Sequence, residues 1–148
     1  MKPVVKKATP AAIAVLRQAT ALKPKRKKAS DGLLPSAAHQ KQNPNSDHNT
    51  GYGVDLTHDP VNGIDCADIF THLMSDSRVK YLIFKGRIWS HAEGNREYTG
   101  PNQHNHHLHI SIKDACGNDT SPWFPWLGKP AIISKVKAAL PKPLPKKS

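Results

Sequence analysis

The segment HLHISI, residues 107–112, constrains the fold most strongly, because apolar and polar side chains alternate along it without a break. This alternation predicts a β-strand, in which successive side chains point to opposite faces of a sheet. The apolar positions, which then face a hydrophobic core, are Leu108, Ile110 and Ile112. The polar positions, which face the other side, are His107, His109 and Ser111. The strand therefore presents two imidazoles next to each other, away from the core.

A second stretch that carries histidine, NSDHNTGYGVDLTHDP, spans residues 45–60. A straight strand would hold His48 and Asp55 on opposite faces and about 23 Å apart. Between them lie Gly51 and Gly53, at which the backbone can turn or approach other atoms closely. We therefore expect a glycine turn that brings the imidazole and the carboxylate together.

The residue types in these two stretches are those of a catalytic zinc site. Two histidines and one carboxylate bind Zn²⁺ and leave a fourth position for water. A closed structural site would need four protein ligands, normally including cysteine, and neither Cys66 nor Cys116 lies near a histidine pair. An open site is favoured, and the cysteines are interpreted as buried thiols. The alternative for residues 107–112 is a half-exposed strand whose solvent-facing positions happen to be histidine.

Two helices are predicted from caps and apolar periodicity. Thr9 followed by Pro10 begins a helix that continues to Leu22. Asp65 caps a second helix, whose apolar residues recur at i, i+3, i+4, i+7 and i+8. The first stripe is Ala12, Val15, Leu16, Ala19 and Leu22, which is enough to dock on a domain. The second, which faces the core, is Cys66, Ile69, Phe70, Leu73 and Met74.

The remaining strands complete an α+β fold. Strand character begins at Gly53, and the runs VKYLIF and RIWS flank Lys85 and Gly86 as a hairpin with a tight turn. With the strand at residues 107–112, we expect a small antiparallel sheet with flanking helices. A helical turn at residues 35–40 and a short helix at residues 131–140 are also predicted, followed by a solvated tail.

Length and charge limit the domain organisation and the partners. A chain of 148 residues fits one domain with short tails, and its net charge of +11 is concentrated in lysine runs such as KPKRKK. We expect an N-terminal helix and basic segment at residues 1–28, a core at 29–118 and a Pro/Lys-rich extension at 119–148. The charge attracts a polyanion, and nucleic acid, anionic lipid and an acidic wall polymer all qualify.

The stretch SDHNTGYGVD, residues 46–55, fits the pattern Ser-x-His-x-x-Gly-x-(small)-x-Asp. It resembles the zinc-binding motif of VanY-like D-alanyl-D-alanine carboxypeptidases and L-alanyl-D-glutamate endopeptidases, and HLH is similar to the second motif of this group. The resemblance implies the LAS or Hedgehog-like peptidase fold and one Zn²⁺ per chain. It also implies that His48, Asp55 and His109 are the ligands, with Ser46 supporting them.

The sequence departs from this resemblance at the catalytic base. Many members of the group carry Glu or Asp three residues before the last ligand, where this chain has His106. No acidic residue lies between Pro101 and Ile112. We predict that His107, on the same strand face as His109, polarises the water; His106 is the alternative candidate, as is a carboxylate from elsewhere.

Four further residues are candidates for contacts with the substrate. An arginine binds a carboxylate through a bidentate fork, although a solvated surface role is the alternative for each arginine here. Tyr98 is a candidate to line the cleft. The arginine candidates are Arg26, Arg87 and Arg96.

Two functions from different classes follow. The first is a zinc peptidase that hydrolyses amide bonds of peptidoglycan stem peptides, as a D,D-carboxypeptidase or an L-alanyl-D-glutamate endopeptidase, and the resemblance points to a phage endolysin. No signal peptide or transmembrane segment is evident, so we expect the protein to stay in the host cytoplasm until it is released. We also expect a monomer, whose basic segments are attracted to the anionic wall or membrane. The second is a basic nucleic-acid-binding module with a structural metal, although the basic runs match no groove-reading motif and no specific nucleic acid is expected.

Overall fold

The computed structural model of the chain describes residues 7–35, 45–100 and 102–127. The predicted helix at residues 131–140, the tail after it, and all but the first residue of the predicted turn at 35–40 lie outside this part of the chain. Within it, none of the helices combines the length and apolar composition that a membrane span requires.

A five-stranded antiparallel sheet forms the centre of the molecule, with the strand order β1-β5-β2-β3-β4. The strands are β1 (Gly53–Thr57), β2 (Val79–Phe84), β3 (Arg87–Ser90), β4 (Gly94–Glu97) and β5 (His107–Ile112). The strand from Gly53, the hairpin and the last strand are confirmed, whereas β4 was not predicted. Its sequence, GNRE, is largely exposed and polar, so it carries none of the apolar alternation by which strands are recognised.

Both predicted helices are confirmed. Helix α1 (Pro10–Leu22) begins at Thr9, whose side chain accepts a hydrogen bond from the Ala12 N–H. Helix α2 (Cys66–Leu73) begins at Asp65, whose carboxylate accepts from two backbone N–H groups of the first turn. One detail differs: Leu22, the last residue of the predicted α1 stripe, is 36% exposed, because α1 ends there and the chain turns away.

One face of the sheet carries the hydrophobic core. Its fully buried side chains come from the sheet, from both helices, from Ile64 just before α2 and from Trp123 in the segment after β5. Trp123 also donates its Nε1–H to the carbonyl of Ala11 at 3.2 Å. The α+β class with helices on an antiparallel sheet is therefore confirmed. The expected domain boundaries after residues 28 and 118 stay predictions. Residues of the hydrophobic core lie on both sides of each boundary.

The opposite face is polar and carries the histidines. On β5, Leu108 and Ile110 are fully buried in the core, and His109 between them points to the other side of the sheet. An irregularity in the β2–β5 pairing lies between Val79 and Tyr81. It places Val79 opposite Ile112 on the core face but Tyr81 opposite Ser111 on the polar face. A bulge of this kind redirects side chains beside a functional site.

The two cysteines differ in their surroundings. Cys66 is fully buried at the start of α2, and burial raises the pKa of its thiol to about 12. Cys116 is partly buried against the core. Both are free thiols, and only Cys66 fully fits the expectation of a buried one.

Candidate metal centre

Three side chains converge on the polar face of the sheet. His48 Nε2 lies 3.1 Å and His109 Nδ1 lies 3.0 Å from Oδ1 of Asp55. The ligand atoms of these three residues all lie within 4.8 Å of one another. This cluster could hold a metal ion, and it consists of the residues in the two sequence motifs.

Strand pairing and a short helix place these side chains. In the β1–β5 register, Asp55 lies directly opposite His109, so the two side chains project from neighbouring strands on the same face. His48 lies in a short 3₁₀ helix, Asp47–Thr50, whose cap Ser46 accepts a hydrogen bond from the His48 N–H at 3.2 Å. The 3₁₀ helix packs against the start of β1.

The glycines between His48 and Asp55 each have a structural reason. Gly51 ends the 3₁₀ helix with φ of 83°, in the left-handed region that favours glycine. A Cβ on Gly53 would lie 2.9 Å from the His48 nitrogen and 3.2 Å from Cε1 of His109. Both residues therefore allow the close approach that the sequence predicted, and the motif's small position has no room here even for alanine without a shift of the backbone.

Each histidine of the cluster is oriented by a hydrogen bond from its other ring nitrogen. His48 Nδ1 lies 2.8 Å from the carbonyl oxygen of Leu33, an acceptor only, so Nδ1 carries a proton and Nε2 is the ring nitrogen left to contact Asp55 or a metal. His109 Nε2 lies 2.8 Å from Oγ of Ser111. Metal-binding histidines typically donate their second N–H in this way. The donor set fits a metal: two imidazole nitrogens and one carboxylate oxygen face a common point.

The electrostatics of the cluster favour a cation at that point. Burial alone would raise the pKa of Asp55, but hydrogen bonds and charges from His109 and His48 hold it well below its usual range. Burial likewise would lower the pKa of His48, but its hydrogen bond to Asp55, the charge of Asp55 and smaller contributions from Leu33 and Asp47 together raise it. The carboxylate is ionised at neutral pH, and without a metal a proton on His48 supplies the positive charge that it attracts.

His107, the predicted catalytic residue, lies beside the cluster. Its Nε2 is 3.6 Å from Oδ2 of Asp55, the carboxylate oxygen that His48 and His109 do not use. This Nε2 is buried and has no hydrogen-bond partner within the described part of the chain. Burial lowers the pKa of His107, partly offset by the charge of Asp55, so the neutral imidazole is the dominant form at neutral pH.

His106, the alternative catalytic residue, is placed differently. It is exposed and precedes β5, which begins at His107. Its carbonyl oxygen accepts a hydrogen bond from the His58 N–H at 2.9 Å. Its backbone thus helps to fix the start of the strand, and none of its described contacts joins it to the three-residue cluster.

His104 is a residue of the site that the sequence reasoning missed. Its ring makes edge contacts with the rings of His107 and His109, with centroids 4.9 and 5.7 Å apart. Its φ of 59° is unusual for a residue other than glycine, and burial lowers its pKa to about 4. His104 precedes the alternating strand, so strand periodicity gives no signal for it; only its place in the histidine-rich run HNHHLH does.

The predicted substrate-binding residues are dispersed. Arg87 donates to Asn95 at 3.0 Å on the exposed part of the β3–β4 hairpin, and Arg96 pairs with Glu93 there. Tyr98 is half-buried, and its ring contacts that of His104 at 5.6 Å. Among these four candidates, Tyr98 alone touches a residue that lies against the cluster.

Arg26 is a structural anchor. Its side chain is fully buried and forms a bidentate pair with Asp31, with distances of 3.0 and 2.7 Å. Asp31 also accepts hydrogen bonds from the backbone N–H and the hydroxyl of Thr57, at the end of β1. The next residue, Gly32, pairs with Asp55 by two backbone hydrogen bonds. The anchor thereby holds the strand edge from which Leu33 reaches His48.

We expect Asp31→Ala to lower the free energy of unfolding by about 3 to 5 kcal/mol, because it leaves a buried guanidinium without its partner. The control is Asp68→Ala, which removes an exposed pair with His72 and should cost less than about 1 kcal/mol. Urea denaturation of the three proteins measures both effects. Equal stability of the two variants would contradict the structural role of Arg26.

A family model described as "VldE, C-terminal domain" matches residues 5–109. The match covers most of the chain and includes His48, Asp55 and, as its last residue, His109. No curated protein and no solved structure matches the chain.

Proposed function

The chain belongs to the VldE C-terminal domain family, and we propose that it is a zinc-dependent peptidase that hydrolyses amide bonds of peptidoglycan stem peptides. The observation that carries this proposal is the convergence of His48, Asp55 and His109. His48 Nε2 and His109 Nδ1 lie 3.1 and 3.0 Å from Asp55 Oδ1, and one ligand atom of each residue lies within 4.8 Å of the other two. Three protein ligands, none of them cysteine, are the donor set of catalytic rather than structural zinc sites.

In this proposal the chain's own residues bind and orient the reactants. His48, Asp55 and His109 would hold the ion, and a Zn²⁺ ion there supplies Lewis acidity, which lowers the pKa of a water toward about 7 and polarises a carbonyl group. His107 is a neutral imidazole whose Nε2 has no hydrogen-bond partner among the described residues. It can therefore take a proton and later return it to the leaving amine, as a general base and acid does.

His104 and Tyr98 extend this arrangement outward. His104 lies against His107 and keeps a low pKa of about 4, so it adds no positive charge that would oppose protonation of His107. The ring of Tyr98 contacts that of His104. In the proposed enzyme these two residues shape the cleft that a peptide enters. Arg87 and Arg96, on the neighbouring hairpin, are so exposed that a peptide in this cleft would leave them in contact with water.

The substrate class rests on the resemblance of the two motifs to VanY-like and related LAS peptidases, and so does the assignment of the LAS or Hedgehog-like fold. A five-stranded antiparallel sheet with two helices is compatible with that assignment. A wall-degrading enzyme of this branch would serve as a phage lysin. It would act as a monomer after release from the host cytoplasm.

Digestion of purified sacculi tests the proposal. We expect the protein to lower the turbidity of a sacculus suspension, chelation to stop this, and Zn²⁺ to restore it. Mass analysis of the released muropeptides then identifies the bond and separates carboxypeptidase from endopeptidase action. A gel shift on DNA at physiological salt is measured in parallel, because DNA binding without release of muropeptides would favour the nucleic-acid-binding alternative instead.

We expect the basic segment after α1 to help the protein reach the cell wall and to take no part in hydrolysis itself. Lys25, Lys27 and Lys28 are exposed, and their field is screened by salt over about 8 Å at physiological ionic strength. We expect the triple glutamine variant to lose activity on sacculi, the more so at low salt, and to keep activity on a small soluble peptide. Equal losses on both substrates would refute this role.

A further inference from the structure

We propose that the surface formed by residues 22–25 and 60–63 is a docking site for anionic lipid bilayers, in which Val61 enters the membrane interface and Lys23 and Lys25 contact lipid phosphates. These residues lie outside both histidine motifs. The inference therefore goes beyond the proposed function and does not depend on the metal centre.

A groove separates the turn after α1 from the loop between β1 and α2. Its volume is about 450 Å³. The stem of Lys23 crosses from one side to the other, because a Cβ on Gly63 would lie only 2.5 Å from Cδ of Lys23. The glycine thus lets the lysine lie directly on the backbone of the loop. The residues that line the groove are Lys23, Pro24, Lys25, Val61, Asn62 and Gly63.

The rim of this groove is apolar and exposed. Val61 is 93% exposed, whereas Leu22 and Leu34, the other exposed large hydrophobic side chains in the described part of the chain, reach 36% and 37%. Leu22 directly precedes the groove. Pro24 and Pro60 are exposed as well, and proline has no backbone N–H that would lose its water in a membrane interface. The rim therefore suits a partner that accepts apolar groups.

The charge within the same groove is positive. Lys25 is exposed and Lys23 is half-buried, and none of the lining residues is acidic. The acidic side chains nearest along the loop are engaged with the protein: Asp59 is 8% exposed, and Asp65 caps α2. An anionic lipid headgroup is complementary to such a pair of lysines.

Both sides of the groove are held in place. Oδ2 of Asp59 accepts a hydrogen bond from the backbone N–H of Lys27 and another from the side chain of Asn62, each at 2.8 Å. Asp59 thus ties the turn after α1 to the loop. In the same turn, Arg26 is fixed by its buried pair with Asp31. A surface that is ordered before it binds loses little conformational entropy on binding.

The combination of apolar and cationic groups favours a bilayer over other polyanions. A nucleic acid or an acidic polymer would use the lysines but would leave Val61 in water. A bilayer interface accepts an apolar side chain and attracts lysine at the same time. Near an anionic membrane each lysine contributes about fivefold in affinity, and contact of valine with the interface adds to this.

Cosedimentation with lipid vesicles tests the inference on the full chain. We expect binding to vesicles made of equal parts phosphatidylglycerol and phosphatidylcholine, and little binding to phosphatidylcholine alone. Val61→Thr keeps the shape of the side chain but makes it polar, so it should weaken binding by about 3- to 10-fold. Lys25→Gln should weaken it by about fivefold.

Two matched controls make the same kinds of change elsewhere. Lys113→Gln removes one charge at the start of β1, because Lys113 follows β5 and the two strands are antiparallel, whereas the groove lies beyond the end of β1. Leu34→Gln replaces an exposed apolar side chain away from the groove. Each control should change binding by less than about twofold.

A tryptophan at position 61 gives a second readout. We expect the fluorescence of Val61→Trp, compared with that of the unsubstituted protein, to shift to shorter wavelength when anionic vesicles are added. Binding that depends on the lysines but is unchanged in Val61→Thr would identify a surface for an acidic polymer and overturn the inference, and so would no binding to anionic vesicles. Release of muropeptides tests the metal centre separately, so the proposed function can stand or fail independently.

Discussion

His107→Ala is expected to keep its zinc and to lose peptidase activity by about 10²- to 10⁴-fold, the usual contribution of a general acid or base. The ring nitrogen Nε2 of His107 is buried, lies 3.6 Å from Asp55 Oδ2 and has no hydrogen-bond partner in the described residues. The cluster of His48, Asp55 and His109 does not include it. Removing it should therefore affect proton transfer and not metal retention. Metal analysis and peptide hydrolysis on the same preparation measure both.

His106→Ala is the matched control, because it removes a neighbouring imidazole that is exposed and precedes the strand. We expect it to retain both zinc and most of the activity. If His107→Ala releases the metal, His107 is a ligand. If His106→Ala is the variant that keeps zinc and loses activity, the catalytic role belongs to His106 and the proposed role of His107 is wrong.

The His109→Ala variant is expected to retain no zinc when zinc is supplied at one equivalent per chain, and it should therefore have no measurable activity. His109 is 4% exposed and contacts both Asp55 and Ser111, so alanine removes a ligand and leaves those polar groups without a partner. His91→Ala is the control, because His91 is an exposed histidine in the turn between β3 and β4. Zinc content of the purified proteins is the measurement, and a His109→Ala protein with full zinc would refute the proposed site.

The centre of the fold followed from local patterns. Strand alternation predicts which side chains of residues 107–112 share a face, and Leu108 and His109 do lie on opposite sides of the sheet. Gly51 and Gly53 predicted the turn that places His48 3.1 Å from Asp55. Both inferences succeed because a strand has a fixed period and glycine has a distinct backbone range.

Other parts of the site depend on contacts that no local pattern encodes. In a regular strand Tyr81 would share the core face with Val79, and only the irregular pairing between them reverses it. Arg26 looked like a candidate for a substrate carboxylate, whereas its partner is Asp31, brought near by the chain turn after α1. His48 donates to the backbone carbonyl of Leu33. Because every residue has a backbone carbonyl, the sequence does not indicate which of them is used. Such choices are made by tertiary packing, which the periodicity of one segment does not contain.

The contact between Trp123 and Ala11 has a consequence for biosynthesis. It joins residues 112 positions apart, and Thr9 beside the start of α1 also donates to the carbonyl of Gly51. Contacts between such distant residues form late in folding, and a ribosome-bound chain cannot make them until its last core residues have emerged. We therefore expect α1 to complete its packing on the core only after Trp123 has emerged from the ribosome.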